Sequence, residues 1–288
     1  MGVAKVYFTK SITPEAMIRM YEVLGRELPG KVAVKVHSGE VGNQNFIRPA
    51  FMKPVIDRVH GTVVECNTAY EGKRNTTEAH WETMKLHGWT ELCDVDILDA
   101  EGEMELPIPN GKRIQVNYVG DHLTRYDSML VLSHFKGHPM GGFGGALKNI
   151  SIGIASARGK AYIHGAGDVN AFWSTDRDLF LESMADADRS IMDHFGDRIA
   201  FVNVMCNMSV DCDCCSVAED PQVADVGILS SLDPVALDQA CLDLIYQSDD
   251  PGRDHLIERI ESRHGIHTVE AAAELNVGSR EYELISLD

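Results

Sequence analysis

The sequence contains no apolar run of about 18 residues, the length that a membrane-spanning helix needs. Its first residues, MGVAKVYFTK, lack the apolar core of a secretory signal. Val6 also stands where an N-myristoylation signal has serine or threonine. From these absences we expect a cytoplasmic protein with no membrane partner.

Basic residues are scarce as well. The chain has 26 lysines and arginines against 44 aspartates and glutamates, which gives a formal net charge of −18. Binding to a phosphate backbone depends on a basic surface. We therefore expect no nucleic-acid partner, and solubility alone accounts for the excess of carboxylates.

One segment reverses this balance, because residues 128–167 contain no aspartate or glutamate. Its basic side chains are Lys136, Lys148, Arg158 and Lys160. Residues 132–153, which read LSHFKGHPMGGFGGALKNISIG, add two histidines and six glycines. A flexible, basic, imidazole-bearing loop in an acidic protein suggests contact with an anion.

The order of hydrophobic patterns predicts the fold class. Short apolar runs such as VAVKV, MLVLSHF and IAFVNVM alternate with amphipathic segments such as DLFLESMADADRSIMDHF. This alternation predicts an α/β fold with a mostly parallel sheet and helices on both faces, and two α/β lobes around a cleft are an open alternative. We treat residues 1–288 as one unit with a soft boundary near 120–130.

Local signals place several boundaries. Thr13, Asn75 and Asp233 are expected to cap the helices that follow them. Turn residues within 101–120 predict a hairpin. The stretch GALKNISIGIASA, residues 145–157, is expected to be a helix.

The glycine-rich loop follows a buried strand that ends at His134. Ligands of open α/β sheets bind outside the carboxyl ends of the strands, where glycines let backbone N–H groups approach an anion. The loop is not a Walker sequence, because asparagine follows Lys148. We expect His134 or His138 to move protons, and Lys148 to hold an anion or act as a base or nucleophile. The predicted substrate contacts in this loop are Lys136, Gly142, Gly144, Gly145 and Asn149.

Similar polar loops follow two other predicted strands, in VKVHSGEVGNQNFIRP and NTAYEGKRNTTEAHW. The carboxyl ends of parallel strands lie at the same edge of a sheet, so we expect one shared cleft. Its ligand would be a small anion, a carboxylate or a phosphate. The further predicted substrate-binding residues are Lys35, His37, Glu40, Asn43, Lys73, Arg74, Lys160 and His164.

Four of the seven cysteines fall within the segment CNMSVDCDCC. They are Cys206, Cys212, Cys214 and Cys215. Thiolates bind soft metals and iron–sulfur clusters, so we predict a metal site here. The spacing matches neither a zinc knuckle nor a ferredoxin run, which leaves the metal open. Reactive thiols and a purely structural role are the alternatives.

Taken together, VKVHSGEVGNQNFIRP, SHFKGHPMGGFGGALKN, SARGKAYIH, DCDC and DVGILSSLDPVALDQACLDL resemble the domain-of-unknown-function family 362. The resemblance covers roughly residues 30–245. Many members carry a ferredoxin-like insertion with two 4Fe-4S clusters after the segment matching GKAYIH, whereas this chain has GAGDVNAFWSTDRDLF there, without cysteine. The chain therefore resembles a member that lacks the ferredoxin module. The cysteine cluster then remains as the place for a 4Fe-4S cluster, the expected cofactor, or for another transition metal.

The segment GHPMGGFGGALK is also faintly similar to nickel-pincer lactate racemases, with His138 and Lys148 in the matching places. That similarity implies an anionic carboxylate as substrate.

Three functions follow as hypotheses. The first is a metal- or iron–sulfur-dependent enzyme, an oxidoreductase or an isomerase, acting on a small anion. The second is a metal-independent isomerase or lyase that uses histidine and lysine. The third is a non-catalytic carrier of an anionic metabolite or a cluster. An electron-transfer partner and a homodimer are left open.

Overall fold

The computed structural model describes residues 3–288. Its strands are short, and most are almost fully buried. They are β1 (Ala4–Thr9), β2 (Val32–Lys35), β3 (Thr62–Glu65), β4 (Val95–Ile97), β5 (Glu103–Pro107), β6 (Val116–Gly120), β7 (Ser128–His134), β8 (Lys136–His138), β9 (Gly142–Gly144), β10 (Ile199–Met205), β11 (Gly227–Ser231) and β12 (Tyr282–Ser286).

The helices alternate with these strands along most of the chain. They are α1 (Pro14–Glu22), α2 (Pro49–Arg58), α3 (Thr77–Leu86), α4 (Trp89–Leu92), α5 (Ala146–Ile150), α6 (Ala157–His164), α7 (Arg177–Phe195), α8 (Pro234–Gln247), α9 (Arg253–Ser262) and α10 (Ile266–Glu274). No helix within residues 3–288 is both long and apolar enough to cross a membrane.

Eight strands form one sheet in the order β12-β1-β11-β10-β7-β2-β3-β4. Only β11 runs antiparallel to its neighbours, β1 and β10. The mostly parallel α/β fold predicted from the sequence is therefore confirmed. Strands from both sides of residues 120–130 belong to this sheet, and a domain boundary there stays a prediction.

The two faces of the sheet are covered by different helices. Successive strand residues point to opposite faces. Met129 and Val131 of β7 belong to the core under α5, α7 and α8, whereas Leu130 and Leu132 belong to the core under α1 and α2. Burial on both faces explains why the central strands are continuous apolar runs.

The expected caps at Thr13 and Asp233 are confirmed, since each side chain accepts a hydrogen bond from the first turn of its helix. The hairpin expected within 101–120 is the antiparallel pair β5–β6. The cap expected at Asn75 is wrong by one residue, because the Thr76 hydroxyl accepts from Ala79 N at 3.3 Å.

The single helix expected over 145–157 is also wrong. Helix α5 ends at Ile150, and the chain turns before α6 begins at Ala157. Gly153 lies against the stem of Lys35, where a Cβ would come within 2.8 Å of Lys35 Cε. The Gly153 N–H donates to Lys148 O in a wide turn, so the tertiary contact with Lys35 takes the place of a continuing helix.

Four parallel strands direct their carboxyl ends to one edge of the sheet. Lys35 ends β2, Glu65 ends β3 and His134 ends β7, while β10 leads into the cysteine segment. These strands are adjacent, since β3 pairs with β2, β2 with β7, and β7 with β10. The topology therefore brings together loops that are far apart in sequence.

Candidate active site

A cavity opens at this edge of the sheet; we call it the inner cavity. It contains most of the residues that the sequence singled out. The predicted residues that line it are Lys35, His37, Arg74, His134, Lys136, His138, Gly144, Gly145, Lys148, Asn149, Lys160, His164 and Cys214. Four of the five predicted lysines, all four predicted histidines and Cys214 therefore line one cleft.

Other predicted residues lie beside this cavity rather than in it. Glu40, Lys73 and Cys215 line a second, more open cavity of about 890 Å³, which we call the outer groove. Cys214 and Tyr70 line both, so these two residues form the wall between them.

The remaining predicted residues support the site from behind. The Asn43 side-chain amide donates to the carbonyls of Cys212 at 3.4 Å and Cys215 at 2.9 Å, which fixes the cysteine segment. Gly142 has φ +81°, a conformation that favours glycine, in the turn of the β8–β9 hairpin. Cys206 packs in the core on the face covered by α1 and α2, away from the other cysteines of its segment.

A buried ion-pair network joins the ends of β2 and β3. Lys35 Nζ donates to Glu65 Oε2 at 2.6 Å, and Arg74 lies 3.8 Å from the other carboxylate oxygen. Arg74 also donates to Glu40 at 3.2 Å. Burial alone would raise the pKa of Glu65, but the charges of Lys35, His37 and Arg74 outweigh burial and hold it well below the usual range. Glu65 is therefore a fixed anion that positions two cations.

A second network lies at the end of β7. His134 Nδ1 donates to Asp213 at 2.9 Å and its Nε2 donates to Cys206 O at 2.6 Å. Lys136 Nζ contacts the same carboxylate at 3.0 Å. Burial alone would raise the pKa of Asp213, but His134 and Lys136 outweigh it and hold this pKa well below its ordinary value. Acceptor oxygens on both sides of the ring therefore fix His134 in place.

The second loop histidine, His138, is held by the backbone of its own hairpin. Its Nδ1 accepts hydrogen bonds from Met140 N at 3.2 Å and from Gly141 N at 2.8 Å. The ring also contacts the Cys212 thiol, as does the ring of His37. Burial lowers the pKa of His138 to about 3 and that of His37 to about 4, so both rings are neutral at neutral pH.

Three soft donor groups meet at this point. One ligand atom each of His138, Cys212 and Cys214 lies within 4.8 Å of the other two. Cys214 N also donates to Cys212 Sγ at 3.3 Å, a turn that brings the two thiols to the same side. Sulfur and imidazole nitrogen are the ligands that zinc, nickel and copper prefer. We call these three residues the donor set; Cys206 and Cys215 are not part of it.

Lys148 and Lys160 differ from the other lysines of the cavity. Among residues 3–288, no carboxylate forms an ion pair with either side chain. Lys160 Nζ donates only to Ala155 O, at 2.6 Å, and burial lowers the pKa of this lysine. Lys148 lies on α5, whose first N–H groups, at Ala146 and Leu147, donate to Asp238 of α8. The cavity thus contains two buried or half-buried ammonium groups that lack a counter-charge.

His164 stands one helical turn after Lys160. Its ring stacks between Phe172 and Phe180, with centroids 4.3 and 4.5 Å away. Its Nδ1 donates to Lys160 O at 2.7 Å, which leaves the lone pair on Nε2. Burial lowers the pKa of His164 to about 3, and the charges of Lys148 and Lys160 act in the same direction.

Sequence reasoning missed three residues that organise the site: Glu65, Tyr70 and Asp213. Glu65 had a signal, because an acid ending an otherwise apolar strand beside Lys35 is costly to bury alone. Asp213 lies within the cysteine segment, and no local pattern links it to His134 or Lys136. Tyr70 donates to Cys214 O at 3.3 Å, a contact without any local sequence pattern.

The chain was compared with known families and structures. No curated protein matches it. Among solved structures, the lactate racemase apoprotein from Thermoanaerobacterium thermosaccharolyticum is similar, with 12% identity, a TM-score of 0.48, and coverage of 99% of this chain and 83% of that one. A structural-genomics protein from Thermotoga maritima is similar at 11% identity and a TM-score of 0.46; the match covers 91% of this chain and 58% of that one. At these values the likenesses imply nothing about shared chemistry.

A family match covers most of the chain. The model of one family matches residues 32–243, which include the glycine loop, both buried ion-pair networks and the donor set. These are the segments on which the resemblance in the sequence rested. The chain therefore belongs to the family described as Domain of unknown function (DUF362).

Proposed function

We propose that this protein is a metal-dependent enzyme that acts on a small anionic molecule, a carboxylate or a phosphate, in the inner cavity. The observation that carries the proposal is one juxtaposition. Cys214, a member of the donor set, faces a cavity whose Lys148 and Lys160 lack counter-charges. A soft metal site beside a cationic pocket is suited to bind and activate an anion.

The chemistry of the donor set favours a single transition-metal ion. His138, Cys212 and Cys214 would hold it, leaving one position of a four-coordinate ion open. A bound ion would supply Lewis acidity toward a substrate oxygen. A 4Fe-4S cluster takes four cysteines, whereas two thiols meet here. The cluster predicted from the sequence stays a prediction, and the single ion is the form that the donor set supports.

The chain's own residues supply the rest. Lys148 and Lys160 hold the anion, and Lys136 is kept charged by Asp213, which outweighs burial and raises the pKa of Lys136. His164 is suited to hold a proton at Nε2, because Nδ1 is fixed on a carbonyl. An anion between the lysines would oppose their effect on His164 and make the ring more basic when substrate is bound. His134 is assigned a positioning role, because its ring is held between Asp213 and Cys206 O.

The test is metal analysis of the full chain purified without oxygen, together with a calorimetric screen of small carboxylates and phosphates. We expect about one transition-metal ion per chain, as in other sites of this donor type. We also expect chelation to abolish turnover and to leave the cavity's affinity for anions largely intact. A metal-free protein that turns over its substrate would overturn the proposal.

One observation favours a second candidate, a metal-independent isomerase or lyase. Because His138 Nδ1 accepts two backbone hydrogen bonds, the neutral ring carries its proton on Nε2. A metal at Nε2 would have to displace that proton, whereas a thiol–imidazole pair with Cys212 would keep it. Turnover that survives chelation and Cys214→Ser would select this candidate. Tight binding without turnover would select the carrier function.

A further inference from the structure

The charges lining the inner cavity pair off incompletely. Lys35 is matched by Glu65 at 2.6 Å, and Lys136 by Asp213 at 3.0 Å. Arg74 is matched by Glu40 at 3.2 Å. After these three pairs, Lys148 and Lys160 remain, with no carboxylate partner in the described part of the chain. Burying an unpaired ammonium group is costly, so two such groups in one cavity call for two negative charges from a ligand.

The two lysines enter the cavity from different elements. Lys148 projects from α5 past Gly144; a Cβ added at Gly144 would lie 3.6 Å from Lys148 Cδ. The charge of Lys148 acts on Cys214 and His138. Lys160 projects from α6, a different element, into the same cavity, which Cys66 also lines. The charges of both lysines act on His164, which stands one helical turn after Lys160.

We infer that the substrate is a small dianion with two negative groups, one bound by Lys148 and the other by Lys160, because both lysines line the inner cavity and neither forms an ion pair with a carboxylate within residues 3–288. This inference rests on the proposed function, because it assumes that the substrate anion occupies the inner cavity. A monoanion would satisfy one lysine and leave the other unpaired. A dianion satisfies both lysines, whose charges both act on His164.

The experiment is isothermal titration calorimetry on the full chain, purified without oxygen. Malonate, succinate, glutarate and adipate are compared with monocarboxylates of the same carbon number. We expect at least one dicarboxylate to bind about tenfold or more tightly than its monocarboxylate, the effect of one added charge-assisted contact. 3-Phosphonopropionate shows whether one end prefers phosphate-like groups.

Variants of Lys160 test whether this lysine binds the second negative group of the dicarboxylate. Lys160→Met is expected to remove the preference for the dicarboxylate, because only Lys148 then remains to bind a negative group. Lys53→Met, which removes an exposed lysine paired with Asp57, is the matched control and should keep the preference. Circular dichroism checks folding, and Lys160→Gln replaces Lys160→Met if the methionine variant does not fold.

The outcomes separate the two proposals. Equal affinities of dicarboxylates and monocarboxylates for the wild-type chain would overturn the dianion inference while leaving the anion site intact. A preference that persists in both Lys160 variants would also overturn it. If neither class of anion binds, the proposed function fails together with the inference.

Discussion

The inner cavity and the outer groove share the wall formed by Tyr70 and Cys214, but they differ in charge. The inner cavity is lined by five basic side chains and one carboxylate, Glu65. The outer groove is lined by Glu40, Glu71 and Lys73. Three of the inner lysines come from the acid-free segment 128–167. A protein with a net charge of −18 thus builds a cationic pocket partly by excluding carboxylates from the segment that supplies three of its five basic side chains.

The two cavities also differ in their cysteines, although these residues are adjacent in the sequence. Cys214 lines the inner cavity as well as the groove, whereas Cys215 lines only the groove. If the inner side of the wall is the chemical centre, two neighbouring thiols should differ sharply in importance. The predictions below test that difference, beginning with the largest effect.

Replacing Cys212 or Cys214 by serine should abolish metal binding, because each removes one of three donors. The bound metal per chain is measured by mass spectrometry after anaerobic purification. Cys215→Ser is the matched control and should retain the ion. If Cys215→Ser loses the metal as completely as Cys214→Ser, the distinction between the two sides of the wall is wrong.

Lys148→Gln should weaken anion binding by about tenfold to a hundredfold, the effect of losing one charged hydrogen bond. Titration calorimetry with the best-binding anion measures the change. Lys73→Gln removes a lysine from the outer groove and should leave the affinity unchanged. Equal losses in the two variants would place the anion outside the inner cavity.

Gly145→Ala should destabilise the fold by about 2 to 3 kcal/mol through overpacking. A Cβ at Gly145 would lie 2.4 Å from Asp238 Oδ1, which is fixed by hydrogen bonds from Ala146 N and Asn203. A Cβ added at Gly144 would have Lys148 Cδ as its nearest atom, at 3.6 Å, which is an ordinary contact distance. Gly144→Ala is therefore the control. Urea denaturation of both variants measures the difference, and equal stabilities would show that Asp238 does not restrict the loop.

His164→Phe should reduce the loss of stability on acidification. The unfolded ring takes up a proton near 6.5, whereas the folded ring, with a pKa of about 3, does not. The neutral folded ring therefore contributes fully to the free energy of unfolding above pH 6.5. This contribution is lost progressively as the pH falls from 6.5 toward 3. Between 6.5 and about pH 5 this single site accounts for about 2 kcal/mol of the free energy of unfolding.

Phenylalanine keeps the stacking on Phe172 and Phe180 but cannot titrate. Urea denaturation at several pH values measures the slope, with His255→Gln, on α9, as the control. An unchanged slope in His164→Phe would mean that His164 is already protonated in the folded protein.

Much of the fold followed from local signals. Valine-rich runs alternating with amphipathic segments predicted the parallel sheet, and Thr13 and Asp233 predicted helix starts. The loops at the strand ends were predicted to meet, because the carboxyl ends of parallel strands share one edge. The helix expected over 145–157 ends at Ile150 instead, where the Gly153 N–H turns back to Lys148 O and the regular helix is interrupted.

The roles of single residues were harder to predict. His134 and His138 are equivalent in the sequence pattern, yet one donates through both nitrogens and the other contacts Cys212. Lys136 and Lys148 are likewise equivalent until Asp213 pairs with only one of them. Such differences depend on partners that lie far away along the chain.

The sequence by itself determined the elements, their alternation and the acid-free segment, because these depend on side-chain periodicity and on composition. Tertiary structure alone decided which charges are paired, which thiols meet an imidazole and which lysines remain without a carboxylate. The physical reason is that pairing energies depend on distance and burial, and both are set only when β2, β3, β7 and β10 bring their carboxyl ends together.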